Sequence, residues 1–133
     1  MSYAFVSTDN DFRIEVNTEF DFNQSNPLQK LFLFSYNIKI TNLGSRSAQL
    51  LARKWFIKNK FEEVKIVEGP GVVGHTPHFK PGDSFEYQSF CPLDTVAGEM
   101  WGHFIMKDDT GVEFKVETPV FKFRIPEKFI DDY

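Results

Sequence analysis

The sequence predicts an all-β fold in which two sheets, with about seven or more strands in total, pack face to face as a sandwich. Sixteen of the 133 residues are phenylalanine, which favours strands over helices and loops. Apolar and polar side chains alternate in several short runs, as they do in strands with one buried face. The glycine and proline residues fall between these runs and mark turns. Short strands at hairpin-like spacing are typical of a two-sheet sandwich.

The first two predicted strands show the clearest alternation. Residues 12–20 carry apolar or β-branched side chains at every second position, and residues 32–40 repeat the pattern. Side chains two residues apart in a strand lie on the same face, so each of these strands buries one face. The turn-forming run at residues 42–45 ends the second strand.

The next stretch, residues 48–68, fits two interpretations. Its first half has good helix propensity, and no glycine or proline interrupts it. We nevertheless predict a strand, because the surrounding pattern is that of a β domain. In a strand, one face would carry Leu51, Arg53, Trp55 and Ile57.

The second half of the chain predicts short strands separated by loops. The strands are expected at residues 63–68, from residue 84, and at residues 100–106, 112–117 and 120–125. Irregular segments are expected at residues 69–83 and 92–98, with a hairpin turn at residues 108–111. Pro119 restricts the last strand to a sheet edge or a bulge. We expect one domain over residues 1–133, with its core at about residues 10–125 and a loose acidic tail at residues 127–133.

Composition excludes several functional classes. The net charge of −4 has the wrong sign for a nucleic-acid-binding protein. No segment approaches the roughly 20 apolar residues of a membrane span, and the first residues lack the pattern of a secretory signal. We therefore expect a cytoplasmic protein that binds neither nucleic acid nor membrane. Cys91 is the only cysteine, so no internal disulfide can form.

Five motifs, taken together, resemble the ApaG family in order and spacing. The resemblance covers roughly residues 10–125, nearly the whole chain, and the five motifs are more specific together than any one alone. The motifs are Gly69-Pro70-Gly71-Val72-Val73-Gly74, Pro81-Gly82-Asp83-Ser84-Phe85-Glu86-Tyr87, Pro92-Leu93-Asp94-Thr95, Gly98-Glu99-Met100-Trp101-Gly102 and Pro119-Val120-Phe121.

The resemblance implies an immunoglobulin- or fibronectin type III-like sandwich without established catalytic activity. Bacterial members are associated with cobalt and magnesium tolerance and with neighbours that hydrolyse diadenosine tetraphosphate. Similar domains in eukaryotic F-box proteins and in a polymerase-delta-interacting protein look like protein-binding modules. We therefore expect a protein partner, no cofactor and no enzymatic activity, and a homodimer is compatible with this interpretation. The alternative is a binder of phosphate or nucleotide polyphosphates.

That alternative depends on a glycine loop. Gly69, Gly71 and Gly74 satisfy the pattern G-x-G-x-x-G, which in dinucleotide-binding folds lets the backbone approach a pyrophosphate. The helix that should follow is implausible here, so a structural turn is the favoured interpretation. Phosphate binding is also possible without a dinucleotide-binding fold. In this alternative, backbone N–H groups of the loop form an anion-binding nest assisted by Arg53. Residues 46–65 carry six basic and only two acidic side chains, which would attract an anion or an acidic protein surface.

The sequence assigns neither a metal site nor a catalytic residue. Candidate metal ligands exist, but nothing in their spacing fixes a coordination geometry. No local motif marks a cysteine nucleophile, so we predict that Cys91 is a buried, unreactive thiol. The candidate ligands are His75, His78, His103, Asp94 and Cys91.

Overall fold

A computed structural model of the protein describes residues 2–132 of the backbone and the side chains of residues 3–129. Ten strands and two short 3₁₀ segments, Pro27–Gln29 and Glu127–Asp132, are formed in this part of the chain. The strands are β1 Ser2–Asp9, β2 Phe12–Phe20, β3 Phe32–Asn42, β4 Ala48–Asn59, β5 Val64–Pro70, β6 His78–Phe79, β7 Ser84–Leu93, β8 Ala97–Asp108, β9 Glu113–Glu117 and β10 Phe121–Arg124. Within this part of the chain, no helix is long and apolar enough to cross a membrane.

The strands form two antiparallel sheets, as the sequence predicts. The first sheet has the order β1-β2-β3-β7 and the second has the order β10-β8-β4-β5. Two short strands extend the second sheet, because β6 pairs with the start of β4 and β9 pairs with β8. The interpretation of residues 48–59 as a strand is therefore confirmed, and β10 lies at a sheet edge as Pro119 required.

The core lies between the sheets and is made of the alternate side chains of both. Phe34, Ile38, Trp55 and Phe104 are all buried there, whereas Phe85 is only partly buried at the rim. Phenylalanine and tryptophan rings pack edge-on or tilted against one another through the centre, an arrangement that adds to the free energy gained from burial.

A β-bulge changes the phase of β4. Leu50 lies opposite Met106 and Ala52 lies opposite Ile105, so Leu51 has no partner on β8. Before the bulge the even-numbered Leu50 points into the core, and after it the odd-numbered Trp55 does. The prediction that Leu51 shares the inner face was therefore wrong, because an extra residue in one strand inverts the alternation beyond it.

Both chain ends differ from prediction. The core was expected to begin near residue 10, but β1 pairs with β2 from Ser2 to Asp9 and Phe5 packs against the core. The tail was expected to be loose, but residues 127–132 form a 3₁₀ helix. Phe129 stacks on Phe22 with ring centroids 4.6 Å apart, and this contact holds the segment against the sandwich. Residue 133, the end of the predicted tail, lies outside the described residues.

Two predicted loops are shorter than expected. β5 continues through Gly69 and Pro70, so the first half of the glycine motif belongs to a strand. β7 extends to Leu93 and β8 begins at Ala97, which leaves only residues 94–96 of the predicted loop 92–98. Pro92 is tolerated because β7 is the edge strand of its sheet and needs no partner on its outer side.

Candidate functional site

A cavity of about 710 Å³ opens between the free edges of the two sheets. One wall is β7 of the first sheet and the other is β5 of the second, and the floor reaches the core at Trp55 and Met100. We call this space the edge cavity. Its volume lies within the range of pockets that hold small organic ligands.

The cavity is bounded at both ends by contacts between the sheets. At one end the Asn59 side-chain amide donates to the Asp94 carboxylate at 3.1 Å. At the other end the ring of His75 lies against that of Phe85, with centroids 5.7 Å apart. The opening therefore runs along the middle of the two edges.

Arg53 reaches the cavity because of the bulge in β4. The changed phase puts its side chain on the inner face with Trp55, and both residues line the cavity. One guanidinium nitrogen of Arg53 donates to the Pro70 carbonyl at 2.8 Å and lies 3.4 Å from the Gly71 carbonyl. A β-carbon on Gly69 would lie 2.8 Å from that nitrogen, so glycine at this position makes room for the arginine.

The remaining glycines shape a tight turn. The N–H groups of Val72 and His75 each donate to the other residue's carbonyl at 2.8 Å, and both central residues of this turn have positive φ. The Gly71 N–H donates to the carbonyl of the bulge residue, Leu51, at 2.8 Å. Gly71 has a φ of +60°, and a β-carbon there would lie 2.4 Å from the His75 carbonyl oxygen.

These contacts bear on both interpretations of the glycine motif. Arg53 and the motif lie together, but the guanidinium contacts backbone carbonyls and the Gly71 and Val72 N–H groups bond within the protein. No helix follows the motif; the chain continues through the turn into β6. The local structure therefore explains why glycine occupies each of the three positions of the motif. Anion binding by the loop stays a prediction.

Two tyrosine side chains also belong to the cavity wall, and the sequence analysis did not single them out. Tyr36 on β3 hydrogen-bonds to the Ser89 side chain, and burial raises the pKa of its hydroxyl. Tyr87 on β7 is only 7% exposed, and its hydroxyl has no hydrogen-bond partner among the described residues. Burial also raises the pKa of Tyr87 well above its usual range. Both hydroxyls therefore stay protonated and remain hydrogen-bond donors at neutral pH.

The charges around the cavity nearly cancel. Lys30, Arg53 and Lys65 line it together with Glu63 and Asp94, which leaves one net positive charge. The basic excess predicted for residues 46–65 is likewise reduced by partners outside that segment. Those ion pairs are Arg46 with Asp108, Lys54 with Glu68 and Lys58 with Glu99.

The candidate metal ligands are dispersed. His78 pairs with Asp109 at 2.8 Å, His75 lies beside Phe85, and His103 lies on the outer face of β8. Among the described residues, no group of three or more histidine, cysteine or acidic side chains is arranged to hold a metal ion. Cys91 is buried in the cavity wall as predicted, and burial raises the pKa of its thiol to about 12.

The fold and the edge cavity define a class of two-sheet antiparallel sandwich with an open side. A family profile for the ApaG domain matches residues 22–108. ApaG proteins of Nitrosomonas eutropha and Caulobacter vibrioides are 40% and 39% identical to this chain. The alignments cover 87% and 94% of this chain and 91% and 89% of those proteins, respectively. The chain therefore belongs to the ApaG family, as the motifs indicated.

Solved structures agree with this assignment. A crystal structure assigned to the ApaA protein of Bordetella pertussis has a TM-score of 0.84 and 38% identity, and the match covers 90% of this chain and 96% of that one. The C-terminal domain of wzt has a TM-score of 0.53 at 10% identity, with 93% of this chain and 78% of that one covered. The similarity to the wzt domain shows a shared fold only.

Proposed function

We propose that the protein is a non-catalytic binding module that receives an extended segment of another protein along the free edge of β5. One observation carries this proposal. Six of the seven β5 residues are exposed, and the strand has one side unpaired at the end of its sheet. Strand edges with free backbone groups can pair with an extended segment of a partner.

The side chains of β5 define the partner's chemistry. Val64 and Ile66 are exposed, and Phe61 on the preceding turn adds a third apolar contact. Lys65 and the neighbouring Lys60 form no ion pair among the described residues, so they are available to a partner's carboxylate. We therefore expect a segment with apolar side chains and at least one acidic residue, since complementary charge increases both association rate and specificity.

The proposal also concerns the compartment in which the protein acts and its relation to metal tolerance. We propose that the module acts in the cytoplasm and that any influence on cobalt or magnesium tolerance passes through its partner. The dispersed histidines support an indirect route, because a tight divalent-metal site needs several ligands that converge on one point.

The experiment compares two matched edge variants. Ile66→Lys alters β5, and Val6→Lys alters an equally accessible apolar residue on β1; the two side chains are 55% and 60% exposed. Each variant and the wild type would serve as bait in quantitative affinity purification from the native lysate. We expect at least one protein whose recovery falls about tenfold with Ile66→Lys and is unchanged with Val6→Lys. Equal recovery by both variants would contradict docking at β5.

A second copy of the chain is the simplest alternative partner. Sedimentation velocity of the purified wild type over a range of concentrations separates this case from binding of another protein. We expect a monomer at micromolar concentration. A dimer that Ile66→Lys dissociates would make β5 a self-association edge and would contradict the proposal of a foreign partner.

A further inference from the structure

We propose that the edge cavity is a binding site for a monoanionic ligand that carries a carboxylate on a flat apolar body, with the carboxylate held by Arg53, Tyr36 and Tyr87. This inference is independent of whether a protein docks at β5. It rests on the polar groups inside the cavity, on its net charge and on the apolar surface around them.

The donors of the site are already assembled. The Tyr87 side chain belongs to the cavity wall, and its buried hydroxyl has no hydrogen-bond partner among the described residues. A buried hydroxyl without a partner costs free energy, so native structures rarely keep one without a reason such as a bound group. Tyr36 and Arg53 line the same cavity as Tyr87. Three side chains with hydrogen-bond donors therefore belong to the wall of one cavity.

The geometry of Arg53 leaves donors for a ligand. One terminal nitrogen is occupied by the Pro70 and Gly71 carbonyls, which fixes the guanidinium in position. A guanidinium has five N–H donors in a rigid fork, and the described contacts use only that one nitrogen. An arginine fixed in this way loses little conformational freedom when it binds an oxyanion.

The charge balance selects a single negative charge. The lining side chains leave one net positive charge, and two carboxylates, Glu63 and Asp94, belong to the wall. A triphosphate or tetraphosphate would bring several charges to a site with only one to neutralise them, and the wall carboxylates would repel it. A carboxylate matches both the charge and the planar fork of the guanidinium.

The rest of the cavity is suited to a flat apolar group. Trp55, Val67, Val72, Phe90 and Leu93 line it from both sheets. Trp55, Val72 and Leu93 are buried, whereas Phe90 lies on the outer face of β7 and is half exposed, so an inserted ring would contact apolar side chains from both sheets. Its burial would supply most of the affinity, while the three donors would select for the acid.

The test uses 2-naphthoate as the probe and its neutral amide, 2-naphthamide, as the matched control. Binding is followed through the indole N–H signals of the two tryptophans in nitrogen–proton NMR spectra. Trp55 lines the cavity, whereas Trp101 stacks on Phe56 at the outer face and serves as an internal reference. We expect a saturable shift of the Trp55 signal with a Kd of about 1 mM or tighter, no shift of Trp101, and at least about tenfold weaker binding of the amide.

Two variants and one control locate the carboxylate. Tyr87→Phe and Arg53→Gln should each weaken 2-naphthoate binding about tenfold or more, since each removes a hydrogen bond to a charged group. Tyr3→Phe makes the same chemical change on β1, at the opposite edge of the first sheet, and should leave binding unchanged. Tyr87→Phe should fold normally because it deletes only an unpartnered hydroxyl.

Several outcomes would overturn the proposal. Absence of a saturable Trp55 shift would do so, as would equal affinity for the acid and the amide, or equal effects of Tyr87→Phe and Tyr3→Phe. A second pair of probes, acetyl-Gly-Gly-Phe with a free or an amidated C-terminus, identifies the source of the carboxylate. Tighter binding of the free peptide acid than of 2-naphthoate indicates a chain terminus, and the reverse order indicates a small organic acid; either result supports a carboxylate site.

Discussion

The two long sides of the sandwich differ in how their edge strands meet. On the side of β1, β2, β9 and β10, hydrogen bonds tie one sheet to the other. The Thr18 hydroxyl donates to the Lys122 carbonyl at 2.9 Å, and the Glu117 N–H donates to the Asp9 carboxylate at 2.8 Å. On the side of β5 and β7, the edges separate and the edge cavity lies between them.

The two sides also differ in how completely their hydrogen-bonding groups are paired. The closed side buries phenylalanine rings at 0% and 1% exposure, with Phe121 and Phe123 in contact with each other. The open side keeps polar groups at the margin of the core, including a hydroxyl without a partner among the described residues. A rigid, closed side can support an open side on which some hydrogen-bonding groups lack partners. Binding sites are commonly built in this way.

The largest difference between the two sides should appear when one phenylalanine on each side is truncated to alanine. Phe121→Ala removes a ring that contacts Tyr36, Trp55 and Phe123, and should lower the free energy of unfolding by about 3–5 kcal/mol. Phe90→Ala on β7 removes a ring that is 51% exposed, and should cost less than about 1 kcal/mol. Urea unfolding followed by circular dichroism measures both. Similar losses at the two positions would remove the distinction between the sides.

A smaller loss is expected at the glycine turn beside the cavity. Gly71→Ala should cost about 2 kcal/mol or more, because the residue has positive φ and its β-carbon would collide with the His75 carbonyl. Gly74→Ala is the matched control, since Gly74 also has positive φ but its β-carbon would meet nothing within 4 Å. Thermal unfolding should show the larger decrease for Gly71→Ala. Equal stability of the two variants would show that the contact with the His75 carbonyl does not contribute to the loss in Gly71→Ala.

Calorimetry on the same glycine variant tests nucleotide binding. We expect the wild type to bind ATP and diadenosine tetraphosphate no more tightly than about 100 μM, because few phosphate contacts are available. An affinity near 1 μM that is lost in Gly71→Ala and in Arg53→Gln would favour the nucleotide-binding alternative instead.

Deleting one hydroxyl on each side should change stability in opposite directions. Thr18→Val removes the hydrogen bond to the Lys122 carbonyl and should destabilise the protein by about 1 kcal/mol. Tyr87→Phe removes a buried hydroxyl that has no partner among the described residues, and should leave stability unchanged or raise it slightly. Chemical unfolding of the free protein compares the pair. A clear loss in Tyr87→Phe would mean that this hydroxyl stabilises the free fold.

The smallest effect concerns the thiol in the cavity wall. Because the native pKa of Cys91 is raised to about 12, the unfolded chain releases its proton first as the pH rises above about 9. The stabilising contribution is therefore present below pH 9 and is lost at higher pH, by about 0.8 kcal/mol between pH 8 and 9.5. Cys91→Val should lack this part of the pH dependence in thermal unfolding. Rapid labelling of the native thiol at pH 8 would contradict its burial.

Local alternation was sufficient to predict β2, β3 and most of β8. Residues 12–20 and 32–40 keep a strict period of two, and the structure follows it without interruption. The bulge at Leu51 could not be predicted in this way. It is stabilised by the Gly71 N–H, a group distant in sequence that becomes a neighbour only after β5 has folded back on β4.

The candidate site was predictable in part. The sequence analysis grouped Arg53 with Gly69, Gly71 and Gly74, and the structure does bring these residues together. It could not show that the guanidinium contacts carbonyls rather than an anion, since that depends on how the turn after Pro70 closes. Tyr36 and Tyr87 were missed because they occupy ordinary inner positions of strands rich in phenylalanine. The only available signal was a tyrosine hydroxyl in strands whose other aromatic side chains are phenylalanine.

The bulge in β4 also affects how this protein can change over evolutionary time. Because one extra residue at position 51 sets which side chains of the following segment face inward, loss of that residue would turn Trp55 outward and bring Phe56 inward. Single substitutions cannot bring about this change one side chain at a time, because the whole segment reverses its faces at once. We therefore expect an insertion or deletion in β4 to disrupt the core, whereas substitutions on the edge strands β5 and β7 leave the alternation of β4 unchanged.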